Sequence, residues 1–160
     1  MTTLSVTGHM AISVASYPVV REALVKLLAP YAPALTGVSC LARGADTLFA
    51  EVTIELGGKL TVVVPARKYR EQQVHPTHAP TFDRMVRAAT EVVFMDYENA
   101  SEQAYEHANK ELLRRADRLV AIWNGSPSAG RGGTADVVAD ARNAGIAVTV
   151  LWPGGVTLEG

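Results

Sequence analysis

Short apolar runs alternate along the chain with segments whose apolar positions recur at helical spacing. The runs Leu4–Thr7, Leu35–Leu41, Leu60–Val64, Glu91–Met95, Arg118–Trp123 and Ile146–Trp152 have strand length and are rich in β-branched residues. Between them, Pro18–Leu28, Asp46–Leu56, Phe82–Ala89, Ser101–Arg115 and Thr134–Asn143 read as helices. The punctuation agrees: Pro18 suits a first helical turn, Gly57-Gly58 and Gly145 suit helix exits, and Pro65 and Pro153 close strands. Strict alternation of strand and helix predicts an α/β fold whose sheet is mostly parallel and carries helices on both faces. One stretch breaks the rhythm. Arg67–Thr81 carries Tyr69, Gln72, Gln73, His75, Pro76, His78 and Pro80, and its prolines predict a long loop or flap instead of a helix.

Composition narrows the class. With 160 residues, 48% hydrophobic and 19% charged, the chain fits a single globular domain over residues 1–160. A formal net charge of −1 gives no general attraction to nucleic acid or an anionic membrane, so any anion site must be local. The longest apolar run, Leu119–Trp123, falls far short of the ~18 residues that span a bilayer. The single cysteine, Cys40, cannot form an internal disulfide, and the first basic side chain is Arg21, so no basic segment precedes an apolar stretch near Met1. These features predict a cytoplasmic protein.

The candidate chemistry sits where strands end. Gly8-His9 follows the first strand, Ala42-Arg43-Gly44-Ala45-Asp46 the second, and the Gly-rich segment Asn124–Asp136 the fifth. In a parallel sheet all carboxyl ends share one edge, which is where open α/β sheets bind ligands. Gly130, Gly132, Gly133 and Thr134 open a helix, and glycines with free first-turn N–H groups suit a phosphate. Arg43 is suited to a bidentate phosphate contact, Gly44 to close backbone approach, and Asp46 to ribose hydroxyls. Each has a structural alternative: Asp46 as a helix cap, Arg43 as a solvated charge, His9 as a partner of its own turn. Asp136 and Asp140 lie four apart, on one helix face, and either dipole stabilisation or a catalytic role for Asp136 accounts for them.

Other candidates carry less. His75 and His78 have a spacing that suggests a metal, but Pro76 prevents a helical presentation and no cysteine lies nearby, so no metal site is expected. Ser39-Cys40 lacks an adjacent histidine, and a buried thiol is the better reading. Arg114, Arg115 and Arg118 form a basic cluster at a helix end, where the dipole favours positive charge anyway. Trp123 and Trp152 end strands and read as core or pocket wall.

The motifs Val6-Thr7-Gly8-His9, Ser39-Cys40-Leu41-Ala42-Arg43-Gly44-Ala45-Asp46, Ala116–Gly125 and Gly132-Gly133-Thr134-Ala135-Asp136 together resemble the SLOG superfamily. That group includes the Rossmann-like core of the DNA-processing protein A, the Lonely Guy phosphoribohydrolases and the molybdenum-cofactor carrier proteins. The resemblance runs from Leu4 to Pro153. It implies a Rossmann-like fold that binds a nucleotide or other phosphorylated small molecule through Gly8, His9, Arg43, Gly44, Asp46, Gly130, Gly132, Gly133 and Thr134. Since relatives commonly form dimers, it also implies a homo-oligomer. Departures are informative. Lonely Guy enzymes carry a motif similar to G-G-x-G-T-x-x-E with a catalytic glutamate, and nucleoside deoxyribosyltransferases place theirs in a comparable context, whereas this chain has Val137. Cys40 stands where many relatives have glycine. Binding or sensing of a nucleotide is therefore the expected function, the alternative being an N-glycosidic hydrolase of nucleoside monophosphates with Asp136 as its acid or base. A protein-interaction role with a vestigial cradle is a third reading. The resemblance covers none of the accessory domains of the DNA-processing protein, so nucleic acid is not an expected partner, and nothing in the residues specifies a cofactor.

Overall fold

The computed structural model describes residues 1–128 and 132–160. Six strands form one sheet: β1 (Thr2–Gly8), β2 (Leu35–Ser39), β3 (Lys59–Val64), β4 (Glu91–Phe94), β5 (Arg118–Ile122) and β6 (Ala147–Leu151). All five pairings are parallel, in the order β4-β3-β2-β1-β5-β6. The helices are α1 (Tyr17–Leu28), α2 (Ala45–Glu55), α3 (Tyr69–Gln73), α4 (Ala79–Ala88), α5 (Glu102–Arg115) and α6 (Thr134–Asn143).

Side-chain alternation along the central strands feeds two cores. Val120 and Ile122 of β5 pack with Leu4, Val6, Val20, Leu24 and Phe49 on the face covered by α1 and α2. Their neighbours Leu119 and Ala121 pack on the opposite face against Val137, Val138 and Ala141 of α6. Beside them, Val38 and Val63 meet Ala108 and Leu112 of α5. Helices thus cover both faces, as the alternation predicted. From β1 the chain steps outward to β4, and α5 then returns it to β5 on the other side of β1. The connections after β1 and β5 therefore leave towards opposite faces, which opens a crevice between their carboxyl ends.

Three features differ from the sequence expectation. Arg67–Thr81 is not a continuous loop, because α3 lies inside it and α4 starts at Ala79. Pro80 falls in the first turn of α4, where its missing N–H has no helical partner to lose. The buried Tyr69 ties α3 to α4 through Phe82, with ring centroids 6.1 Å apart. Next, β2 stops at Ser39 instead of Leu41, since Leu41 has φ +57°, the left-handed region that a non-glycine residue rarely enters. Finally, the segment after β6 folds back over the β1–α1 connection: Ser13 N–H donates to the Thr157 carbonyl at 2.9 Å and Glu159 N–H to the Ala11 carbonyl at 2.7 Å. Val156 enters the core beside Ile12. No local pattern in the sequence announces that return. Among the described residues, no helix is long and apolar enough to cross a membrane.

Candidate functional site

The loops after β1, β2 and β5 meet at the carboxyl edge. His9 N–H donates to the Ile122 carbonyl of β5 (3.1 Å), and Ala45 N–H, the first of α2, donates to the His9 carbonyl (3.1 Å). The His9 ring reaches across the crevice, with Nε2 3.0 Å from Asn124 Oδ1 and its edge 5.4 Å, centroid to centroid, from Trp152. Asn124 Oδ1 also accepts from Ser126 N–H at 3.0 Å, and the Asn124 N–H itself donates to His9 Nε2 at 3.3 Å, so backbone and side chain of Asn124 both hold the ring.

Two of the predicted glycines are accounted for by this crossing. A Cβ on Gly8 would lie 2.5 Å from the Ile122 carbonyl oxygen and 2.6 Å from Ala45 Cβ. One on Gly44, which has φ +79°, would lie 2.6 Å from the Met10 oxygen and 2.7 Å from that of His9. Both let two loops touch at backbone distance.

Arg43 has its partners within the chain. Its guanidinium donates to the Met10 carbonyl (3.1 Å) and lies 3.3 Å from both carboxylate oxygens of Glu159. The anion on Arg43 is therefore the chain's own C-terminal segment. Asp46 is not the helix cap: Gly44 occupies that position, without a side-chain cap. Instead the Asp46 carboxylate folds back to accept Ala42 N–H through Oδ2 at 3.3 Å. Burial pushes its pKa from 3.8 up to about 7, against the opposing pull of the Ala42 amide. Below it, Ser39 Oγ donates to the Asp46 carbonyl (3.0 Å) and accepts Leu41 N–H (3.0 Å), which fixes the left-handed Leu41. Burial, with Asp46 nearby, also pushes the Cys40 thiol well up, so it is not a ready thiolate.

In the third loop Gly130 lies outside the described residues. Gly132, with φ +79°, donates its N–H to Asp136 Oδ2 (3.1 Å), and its carbonyl accepts from Asn109 Nδ2 of α5 (3.2 Å). Gly133 leaves room for Ser128, whose Oγ would stand 2.6 Å from a Cβ there and accepts Asp136 N–H at 3.2 Å. Thr134 opens α6; among the described residues, its N–H and that of Ala135 take no acceptor. Asp136 thus closes its own loop, and together with Asp140 it lines a cleft of about 260 Å³ between α5 and α6, shared with Glu106, Asn109 and Lys110.

A larger hollow of about 630 Å³ lies between α3 and α4 and holds none of the predicted site residues. Its main feature is an Arg70–Asp83 pair bridged by two contacts of 2.7 Å. The two histidines between α3 and α4 are held by neighbouring groups. His75 Nδ1 is held by Thr77 (2.8 Å), and His78 Nε2 lies 3.1 Å from the Leu41 carbonyl, pinning the start of α4 to the second loop. Among the described residues, no group of three histidine, cysteine or acidic side chains is placed to hold a metal. In the basic cluster, Arg114 and Arg115 are both paired with Glu111, and Arg115 also with Glu91.

Sequence reasoning missed Tyr69 and Tyr105, which stand at the same edge with ring centroids 6.1 Å apart. Only the meeting of α3 with α5 brings them together, and neither lies in a recognisable motif.

No family model matches the chain, and no curated protein matches it in sequence. Solved structures do. DNA processing protein A from Streptococcus pneumoniae superposes with a TM-score of 0.71 at 18% identity, over 97% of this chain and 51% of that one. The Helicobacter pylori DNA processing protein A, described for its binding of single-stranded DNA, gives 0.66 at 14% identity, over 95% of this chain and 66% of that one. The Moco carrier protein from Chlamydomonas reinhardtii gives 0.59 at 20% identity, over 94% and 75%. This chain thus spans about half the length of the Streptococcus protein. In fold, the chain is a Rossmann-like α/β protein that shares its architecture with these DNA processing protein A and Moco carrier protein structures.

Proposed function

We propose that the carboxyl edge of the sheet binds a nucleotide or nucleotide-derived ligand, with its phosphate against the first turn of α6. The carrying observation is the convergence of three separate loops at the crevice between β1 and β5, beside first-turn amides of Thr134 and Ala135 that take no acceptor among the described residues. Unpaired amides at the positive end of a helix are matched to a phosphate by both hydrogen bonding and dipole. Engagement of Arg43 by phosphate requires exchange of its Glu159 partner.

Binding without turnover is the favoured form. The position of the family glutamate is Val137, which is 2% exposed and packed into the core against α6's own strand neighbours. The remaining candidate, Asp136, spends one carboxylate oxygen on Gly132 N–H. A side chain bound to its own loop and set in the cradle supplies orientation, not a positioned acid or nucleophile.

Calorimetry of the full chain against nucleoside mono-, di- and cyclic phosphates at millimolar concentration tests this, with a short single-stranded oligonucleotide as a further arm. Saturable heat and a raised unfolding temperature with at least one mononucleotide are expected. Heat from the oligonucleotide alone would replace the small-molecule reading with a nucleic-acid one, and no response in any arm would remove both.

A further inference from the structure

Beside the cradle, side chains from four elements meet over the end of β2. Cys40 comes from the strand's exit, Asp46 from α2, Tyr69 from α3 and Tyr105 from α5. Tyr69 and Tyr105 have ring centroids 6.1 Å apart and pack in one cluster with Leu41, the residue after Cys40, and the Tyr69 hydroxyl lies within electrostatic range of Cys40 and Asp46. Tyr69 is only 6% exposed, yet among the described residues its hydroxyl has no hydrogen-bond partner. A buried phenol normally finds one. Asp46 is similarly half-used: Oδ2 holds the Ala42 amide, and Oδ1 has no partner among the described residues. Among the described residues, no buried side-chain oxygen or nitrogen is sealed off without a partner, so both open atoms keep some access to solvent.

The chemistry of this niche differs from that of the cradle. It contains hydroxyls, a thiol, a carboxyl group and aromatic walls, with Met95 and Ala108 beside Cys40 and no cation among the four. Such a set offers no cation to a phosphate and suits an uncharged group that both donates and accepts hydrogen bonds. Its position relative to the cradle is set by α5. Tyr105 is in the niche, and Asn109, one turn further along the same face, bonds the Gly132 carbonyl. One turn is ~6 Å of helix, about the span from a phosphate to the sugar or base of a nucleotide.

We propose that the Cys40–Asp46–Tyr69–Tyr105 niche is the subsite for the uncharged nucleoside end of the ligand, with the Tyr69 hydroxyl and Asp46 Oδ1 as its recognising groups. This inference rests on the nucleotide-binding reading above. Sugar hydroxyls and a base edge offer the same hydrogen-bonding chemistry, and the arms of the experiment separate them.

The experiment is calorimetric titration of wild type, Tyr69→Phe and Tyr105→Phe with inorganic phosphate, ribose 5-phosphate and the four ribonucleoside monophosphates. Phenylalanine keeps the ring against Phe82 and removes only the oxygen, and unchanged urea midpoints verify folding. Tyr69→Phe is expected to weaken the tightest monophosphate about five- to tenfold, the loss of roughly one hydrogen bond, and to leave phosphate unchanged. An equal loss for ribose 5-phosphate assigns the niche to the sugar; a loss confined to the nucleotides assigns it to the base. If wild type binds the nucleotides and both variants bind them equally well, the niche is wrong while the nucleotide reading stands. If wild type binds none of the probes, both fall.

Discussion

Replacement of Asp46 by asparagine isolates the carboxyl group at the site that burial perturbs. The carboxyl group titrates near 7 in the fold against an ordinary 3.8, because burial penalises its charged form. Between those values the native chain binds the proton more tightly than the unfolded chain, so the contribution of Asp46 to stability falls as pH rises from about 4 to about 7 and stays low above that. The full displacement is a ceiling of about 4 kcal/mol. Asp46 is only half-buried and its Oδ1 is open, so solvent offsets part of the penalty, and about 2 kcal/mol is expected. Asparagine has the same shape, still accepts from the Ala42 amide and does not titrate. Urea unfolding of both proteins from pH 5 to pH 8.5 gives the difference directly, and subtraction removes every titration that the two share. The advantage of the variant over wild type should grow as pH rises across this range and level off above pH 7, reaching about 2 kcal/mol in all relative to the protonated state. A difference that stays constant with pH, or one that grows in favour of wild type as pH rises, would refute a carboxyl group whose charged form is penalised by the fold.

Three further expectations follow from the site geometry. Gly44→Ala should lower stability by about 2–3 kcal/mol, because it adds backbone clashes to a φ of +79°, while Gly57→Ala, at the same φ but with nothing within 4 Å, should cost only about 1 kcal/mol; equal melting temperatures would deny the loop crossing. Arg43→Ala should weaken a phosphorylated ligand more than its nucleoside by about 1.5–3 kcal/mol in calorimetry, whereas equal weakening of both would leave Arg43 as the anchor of Glu159 alone. Chromatography should detect little or no free base released from nucleoside monophosphates; robust turnover that Asp136→Asn abolishes with affinity intact would establish the hydrolase instead.

Most of the architecture was legible because its signals are local. The buried strands read as apolar runs, Pro18 and Ser101 mark helix starts, and Ser101 Oγ does accept the Ala104 amide. Convergence of the three loops also followed, since parallel strands fix which ends share an edge. What escaped depends on distant partners. Pro80 looked like a breaker, though in a first turn it is compatible with a helix. The aim of Arg43 is decided by Glu159, which is 116 residues away and reaches it only because the C-terminal segment folds back beside Ile12. Asp46 carries a capping residue's sequence signature, yet the conformation of Gly44 gives the cap position to the glycine and turns the carboxylate onto its own loop. Tyr69 and Tyr105 belong to no motif, so only the packing of α3 against α5 makes them neighbours.

The central claim, a nucleotide phosphate at the first turn of α6 beside the β1–β5 crevice, is tested most directly by amide chemical-shift mapping of the full chain during titration with a mononucleotide. Saturable shifts should concentrate on the amides of His9, Asn124, Thr134, Ala135 and the start of α2. Shifts confined to the hollow between α3 and α4, or none at millimolar ligand, would contradict it.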